Sequence, residues 1–259
     1  MNDDAGTAAG FVAALTQELR RDLGDDLIAL YVYGSWVTGG FDPGVSDVDL
    51  VAVTSPDAGS LDIARLERMH DSFIGRFPEW IDRLEIVYVG RATLESFRTS
   101  LGKLAVVSPG EPLHVREERA ADWLQDWYLV RETGVCLHGV DAAAIIPAIS
   151  WAEFEAATVR YADELRDRSR FGASGGSLAY AILTMCRALR VTRTRTHGSK
   201  QEAAAWTRER MPGWAWLIDI ALVCRLSRGN IGLADEKSRA AAETFIALLA
   251  DEIHGQNAA

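Results

Sequence analysis

Leu30-Tyr-Val-Tyr-Gly34-Ser35-Trp-Val-Thr-Gly-Gly-Phe-Asp-Pro-Gly-Val-Ser46-Asp47-Val-Asp49-Leu-Val-Ala-Val53 is the stretch whose reading decides the fold. The run from Leu27 to Tyr33 is apolar and rich in β-branched and aromatic residues, which favours a strand. It breaks at Gly34-Ser35, where a backbone without Cβ crowding can approach a phosphate and present its N–H groups. After a loop rich in glycine and proline, Asp47 and Asp49 are interleaved with Val48, Leu50, Val51 and Val53. On a second strand, whose side chains alternate with period two, both carboxylates point to one face. Hard oxygen ligands side by side suit Mg²⁺, which usually takes one or two carboxylates plus substrate phosphates. Neighbouring strands therefore offer a grip for a triphosphate and a clamp for a metal.

Working outward, Thr7 can cap a helix with Phe11, Val12, Leu15, Leu19 and Leu23 at helical spacing and Gly24 as its stop. Beyond the aspartates, Ser60 to Gly75 reads as a second helix, with Ile63, Leu66, Met69 and Phe73 on one face. Arg83 to Val89 reads as a strand carrying one carboxylate, Glu85. Pattern alone leaves Glu85 open between a surface position on a half-exposed strand and a member of the metal site. Residues 90–114 are poorly patterned and end in Pro109-Gly110-Glu111-Pro112, a linker by composition. This puts a domain junction near residue 112, dividing the chain into 1–112 and 113–259. Beyond it lie amphipathic runs rich in Ala, Leu and Arg, with helices expected near 116–132, 151–169, 177–195, 200–211, 213–228 and 235–254. The fold class is α+β: a small mixed sheet with helices, then an all-helical bundle.

The 259 residues allow one large or two ordinary domains, and 48% apolar residues suffice for a core. No run of about 18 apolar residues occurs, and the N-terminus lacks a signal-peptide pattern, so a cytoplasmic protein with no membrane partner is expected. Cys136, Cys186 and Cys224 have no Cys-x-x-Cys spacing and read as core thiols. A formal charge of −10 argues against a nucleic-acid binder and suits a small cationic acceptor.

An apolar residue, Gly-Ser, a spacer and Asp-apolar-Asp-apolar together resemble the nucleotidyltransferase signature of the polymerase β-type superfamily. Asp122-Trp-Leu, Arg131-Glu132-x-Gly-Val-x-Leu137-x-Gly139, Leu183-Thr184-x-x-Arg187, Ser199-Lys200-x-x-Ala-Ala-x-Trp206 and Met211-Pro212 resemble the C-terminal domain of the aminoglycoside (3'')(9) adenylyltransferases. The resemblance implies an enzyme that transfers AMP from ATP to a hydroxyl of streptomycin or spectinomycin, in a cleft between two domains. It implies that Gly34, Ser35, Ser46, Asp122 and Lys200 bind the nucleotide and that Asp47 and Asp49 hold two Mg²⁺ ions. It also tips Glu85 to the metal site, as a ligand or as the general base.

Counting back from Lys200 without gaps, Ser177 and Tyr180 stand where antibiotic-binding members have an aspartate and a histidine, and Arg168 and Ala173 replace a tryptophan and an acid. A tryptophan that stacks on the acceptor is replaced near Leu104. A polycationic drug requires carboxylates to pair with, so an unpaired Arg168 beside Tyr180 favours a less cationic acceptor such as spectinomycin over streptomycin. A monomer is expected. Two other functions are compatible with the N-terminal motif: a nucleotidyltransferase modifying a protein or RNA, as in toxin–antitoxin pairs, and a non-catalytic nucleotide-binding regulator. The elaborated helical domain favours a small-molecule enzyme over the former, and the intact acid set disfavours the latter.

Overall fold

The computed structural model describes residues 7–169, 174–227, 233 and 235–255, and these form two compact units, Met1–Ser150 and Trp151–Ala259. In the first, a six-stranded mixed sheet runs in the order β5-β4-β3-β2-β1-β6. Its strands are β1 (Leu27–Tyr33), β2 (Val48–Thr54), β3 (Leu84–Gly90), β4 (Leu101–Ser108), β5 (Glu111–Arg119) and β6 (Val135–Gly139). Only the β2/β3 pair is parallel. It is joined through helix α2 (Ile63–Arg76), the long crossover that a parallel pair needs.

Helix α1 (Ala8–Leu23) starts where the Thr7 hydroxyl accepts from the Gly10 N–H at 3.1 Å and stops at Gly24, with φ of 55°. Its Phe11, Leu15 and Leu19 join Leu66 and Phe73 of α2 against Leu30, Val32, Leu50, Ala52, Ile86 and Tyr88 of the sheet. Since strand side chains alternate, Tyr33, Asp49 and Glu85 are left on the opposite face. That alternation puts the acids where the two helices do not cover them.

The tract from 90 to 139 departs from the sequence reading. Leu101–Ser108 and Glu111–Arg119 form a hairpin on the sheet edge, and its turn holds Pro109-Gly110, with φ of 78° at Gly110. The composition of a linker and that of a hairpin turn are the same, and only the strand partners distinguish them. A helix was expected over 116–132. Its first part is strand; a short helix α3 spans Arg91–Glu95, and α4 runs only from Leu124 to Thr133. Strand β6 then pairs with β1, so the chain stays in the first unit until Ser150 rather than leaving it near residue 112.

The second unit is helical: α5 (Trp151–Ser169), α6 (Gly175–Thr194), α7 (Lys200–Arg210), α8 (Ala215–Ser227) and α9 (Glu236–His254). Leu178, Ile182, Leu183 and Cys186 of α6 pack with Leu217 and Ile218 of α8 and Phe245 and Leu249 of α9 in one core. Burial pushes the Cys186 thiol up to about 12, as expected of a core cysteine. Cys136 differs: on edge strand β6 it is exposed. Among the described residues no helix is long and apolar enough to cross a membrane.

Candidate active site

The turn after β1 is shaped by its glycine. Gly34 has φ of 70°, and a Cβ built on it would lie 2.0 Å from Oδ2 of Asp49. No other residue could bring the backbone so near that carboxylate. The Gly34 carbonyl accepts from the backbone N–H and hydroxyl of Thr38 at 3.2 and 3.0 Å, which holds the turn at Gly34–Trp36 in shape. Ser35 sits half-buried on this turn, directly after Gly34.

Asp49 and Glu85 are each the one partly exposed residue of an otherwise buried strand. They are also direct partners in the parallel β2/β3 register, so their Cα atoms are about 4.8 Å apart, the spacing of neighbouring strands. Glu85 therefore belongs to the same row as Asp49. Tyr33 extends that row on the other side, paired with Asp49 in the antiparallel β1/β2 register. Asp47, two residues before Asp49, is half-buried at the entrance to β2.

Two residues that the sequence reading did not single out organise this face. The first is Asp126 of α4, whose Oδ1 accepts a hydrogen bond from the Tyr33 hydroxyl at 3.2 Å. Burial, then the charges of Asp126, Glu85 and Asp49, hold the Tyr33 hydroxyl well above its ordinary range, so it stays a proton donor. Asp122, which the resemblance implies as the nucleotide-contacting acid, lies one turn earlier in the 3-10 segment Ala120–Trp123 and is exposed. Nothing in the local pattern separates two aspartates four residues apart; only the partner strand does.

The second is Arg83, 4% exposed, whose Nε and Nη2 both donate to the Ser46 carbonyl at 3.1 and 2.8 Å. Its guanidinium lies 4.2 Å over the Trp80 ring, and its own carbonyl accepts from the Val48 N–H at 2.9 Å. Arg83 thus grips the backbone on both sides of Asp47. Ser46 is buried and its hydroxyl accepts from the Asp42 N–H at 2.9 Å, closing the loop that leads to the acids.

Among the described residues, no group of three or more His, Cys, Asp or Glu side chains is placed to hold a metal ion by itself. An all-protein cage is not what Mg²⁺ requires when substrate phosphates complete its shell. Asp49 and Glu85, carboxylates side by side on one face, are hard oxygen donors of the kind such an ion takes, and Asp47 stands two residues before Asp49.

In the second unit Lys200 is the first residue of α7, beside the capping box in which Ser199 and Glu202 bond each other's backbone. Its Nζ lies 4.4 Å over the ring of Tyr180. Burial, then Arg187 and Arg190, push His197 down to about 4, so it is neutral near pH 7. Ser177 and Tyr180 lie on α6 and line a groove of about 560 Å³ together with Tyr161, Arg168 and Ser169. The Tyr180 and Tyr161 hydroxyls are 3.1 Å apart.

Two expectations about the acceptor change. Arg168 is not unpaired, since its Nη2 donates to Glu164 Oε2 at 3.2 Å, and the pair makes that rim close to neutral rather than cationic. Leu104 is fully buried in the middle of β4, paired with Val89 and Arg116, where a core strand residue has no free surface to offer an acceptor. Ala173 lies outside the described residues.

Comparison with known proteins agrees with the site's chemistry. Residues 13–109 match a nucleotidyltransferase domain, so the sheet with its acidic row is that of a nucleotidyltransferase. Residues 144–252 match the C-terminal domain of aminoglycoside adenylyltransferases. The chain, with both domains in this order, is a nucleotidyltransferase of the aminoglycoside adenylyltransferase type. A crystal structure of spectinomycin adenyltransferase AAD(9) from Enterococcus faecialis with ATP and spectinomycin is similar in fold. Its TM-score is 0.72 at 18% identity, covering 96% of this chain and 100% of that one. No curated protein matches the sequence.

Proposed function

We propose that this enzyme transfers AMP from ATP to a hydroxyl of a small aminocyclitol-like acceptor, with spectinomycin a better acceptor than streptomycin. The observation that carries the reaction is the Asp49–Glu85 pair on neighbouring strands, with Asp49 against the Gly34 turn. Mg²⁺ held by Asp47 and Asp49 would stabilise the charge that develops as pyrophosphate leaves. Ser35 and the Gly34 turn receive the triphosphate, and Lys200, a compact cation at a helix N-terminus, is the phosphate-binding cation of the helical unit. Glu85 takes the proton of the attacking hydroxyl. The solved adenyltransferase that holds ATP and spectinomycin supports the choice of both substrates.

The acceptor preference rests on charge. Among the described residues the groove carries no lining carboxylate, and its one lining cation, Arg168, is paired with Glu164. Streptomycin brings guanidinium groups that such a wall leaves unpaired, at about 1.5 to 3 kcal/mol for each lost charged hydrogen bond. Two such losses amount to a factor of roughly 10² to 10⁴. Tyr161, Tyr180 and Ser177 instead offer hydroxyls to a polyol.

Pyrophosphate release with ATP and each drug, in Mg²⁺ and in EDTA, tests the proposal. Release with spectinomycin that stops in EDTA is the expected result. Efficient release with streptomycin would overturn the acceptor reading, and metal-independent release would overturn the reading of the acids.

A further inference from the structure

The ring of Tyr180 has two neighbours with different tasks. One is the Lys200 ammonium, 4.4 Å from the ring centroid. The other is the groove that Tyr180 walls, where its hydroxyl meets that of Tyr161 at 3.1 Å. Tyr180 comes from the first half of α6 and Lys200 from the start of α7, so the contact crosses the α6–α7 connection. Lysine has a flexible four-carbon stem, and a cation resting on an aromatic face is held where the ring is held. The Tyr161 hydroxyl fixes the edge of that ring from α5.

We infer that Tyr180 is a positioning residue for Lys200. The ring seats the ammonium for the triphosphate, and the hydroxyl edge belongs to the acceptor groove, so groove occupancy and nucleotide binding are linked through one side chain. This rests on the reading of Lys200 as a triphosphate-binding cation. The link requires the ring for the nucleotide and the hydroxyl for the acceptor, and the two can be separated by substitution.

MgATP affinity measured by calorimetry on the full chain, for wild type, K200A, Y180F, Y180L and the double variant K200A/Y180L, tests both layers. K200A tests the underlying reading: a loss of tenfold or more is expected. Y180L should then weaken MgATP roughly two- to fivefold, the worth of an exposed cation–π contact. Y180F, which keeps the ring, should remain within twofold of wild type. The double variant should bind like K200A alone, since the ring acts only through the lysine. Steady-state kinetics should show Y180F raising the KM for spectinomycin with little change in the KM for ATP. If K200A loses affinity and Y180L does not, or if Y180L and K200A are additive, the positioning role is wrong. If K200A itself binds MgATP normally, the reading of Lys200 fails and the inference falls with it. Tyr180 is 45% exposed, so neither replacement opens a cavity in the core.

Discussion

Gly34 lies so close to Asp49 that a Cβ on the glycine would stand 2.0 Å from one carboxylate oxygen and 2.9 Å from the carboxyl carbon. The two residues are 15 positions apart in sequence and become neighbours because β1 and β2 are an antiparallel pair in which Tyr33 faces Asp49. The Gly34 turn and the Asp49 carboxylate are thus one structure. Gly34→Ala should therefore fail twice, through the steric clash and through the φ of 70°, whose left-handed region costs a side chain about 1 to 2 kcal/mol. Its MgATP affinity by calorimetry should fall at least tenfold while circular dichroism still shows a folded chain. A variant that binds and turns over like wild type would show that the turn does not touch the nucleotide.

Glu85→Gln keeps the shape of the side chain and removes its charge and basicity. Turnover should drop by roughly 10² to 10⁴ with MgATP binding largely kept, if Glu85 serves as the base. Loss of MgATP affinity along with turnover assigns it to the metal instead. Unchanged turnover would contradict both roles.

Arg83→Gln removes a buried donor that makes two bonds to the Ser46 carbonyl. The stranded carbonyl and the lost packing on Trp80 should lower stability by about 1 to 3 kcal/mol. Because the freed segment leads into Asp47, MgATP affinity should fall too. Urea titrations and calorimetry on the same variant separate the two effects, and an intact affinity would limit Arg83 to a structural role.

His70 of α2 is 5% exposed, its Nε2 lies 2.6 Å from the Tyr88 hydroxyl, and burial pushes it from 6.5 down to about 4. Its folded state therefore resists protonation that the unfolded chain accepts. The unfolded chain gains the proton first, so stability is full above pH 6.5 and is lost as pH falls from there to about 4. The slope is about 1.4 kcal/mol per pH unit, roughly 3 kcal/mol in all. His197, also near 4, acts in the same direction. In urea melts at pH 7 and pH 4, His70→Phe should lose less stability on acidification than wild type. An equal loss in both proteins would show that His70 is not the group titrating.

The sequence by itself determined the parts whose chemistry is local. Gly34-Ser35, Asp47-x-Asp49 and the strand around Glu85 follow from residue type and period-two alternation. The helices α1, α2 and α5 to α9 follow from helical spacing and caps such as Thr7 and Ser199. Tertiary structure decided what depends on partners far along the chain. Residues 111–139 have the composition of linker and helix, and only pairing with β4 and β1 makes strands of their ends. Asp126 met the Tyr33 hydroxyl, 93 residues away, and Arg83 met the Ser46 carbonyl, 37 residues before it. Leu104 was lost from the acceptor site to the core, Arg168 found Glu164, and Lys200 came to rest on Tyr180. Periodicity states which face a side chain takes on its own element, but which element covers that face is settled by packing.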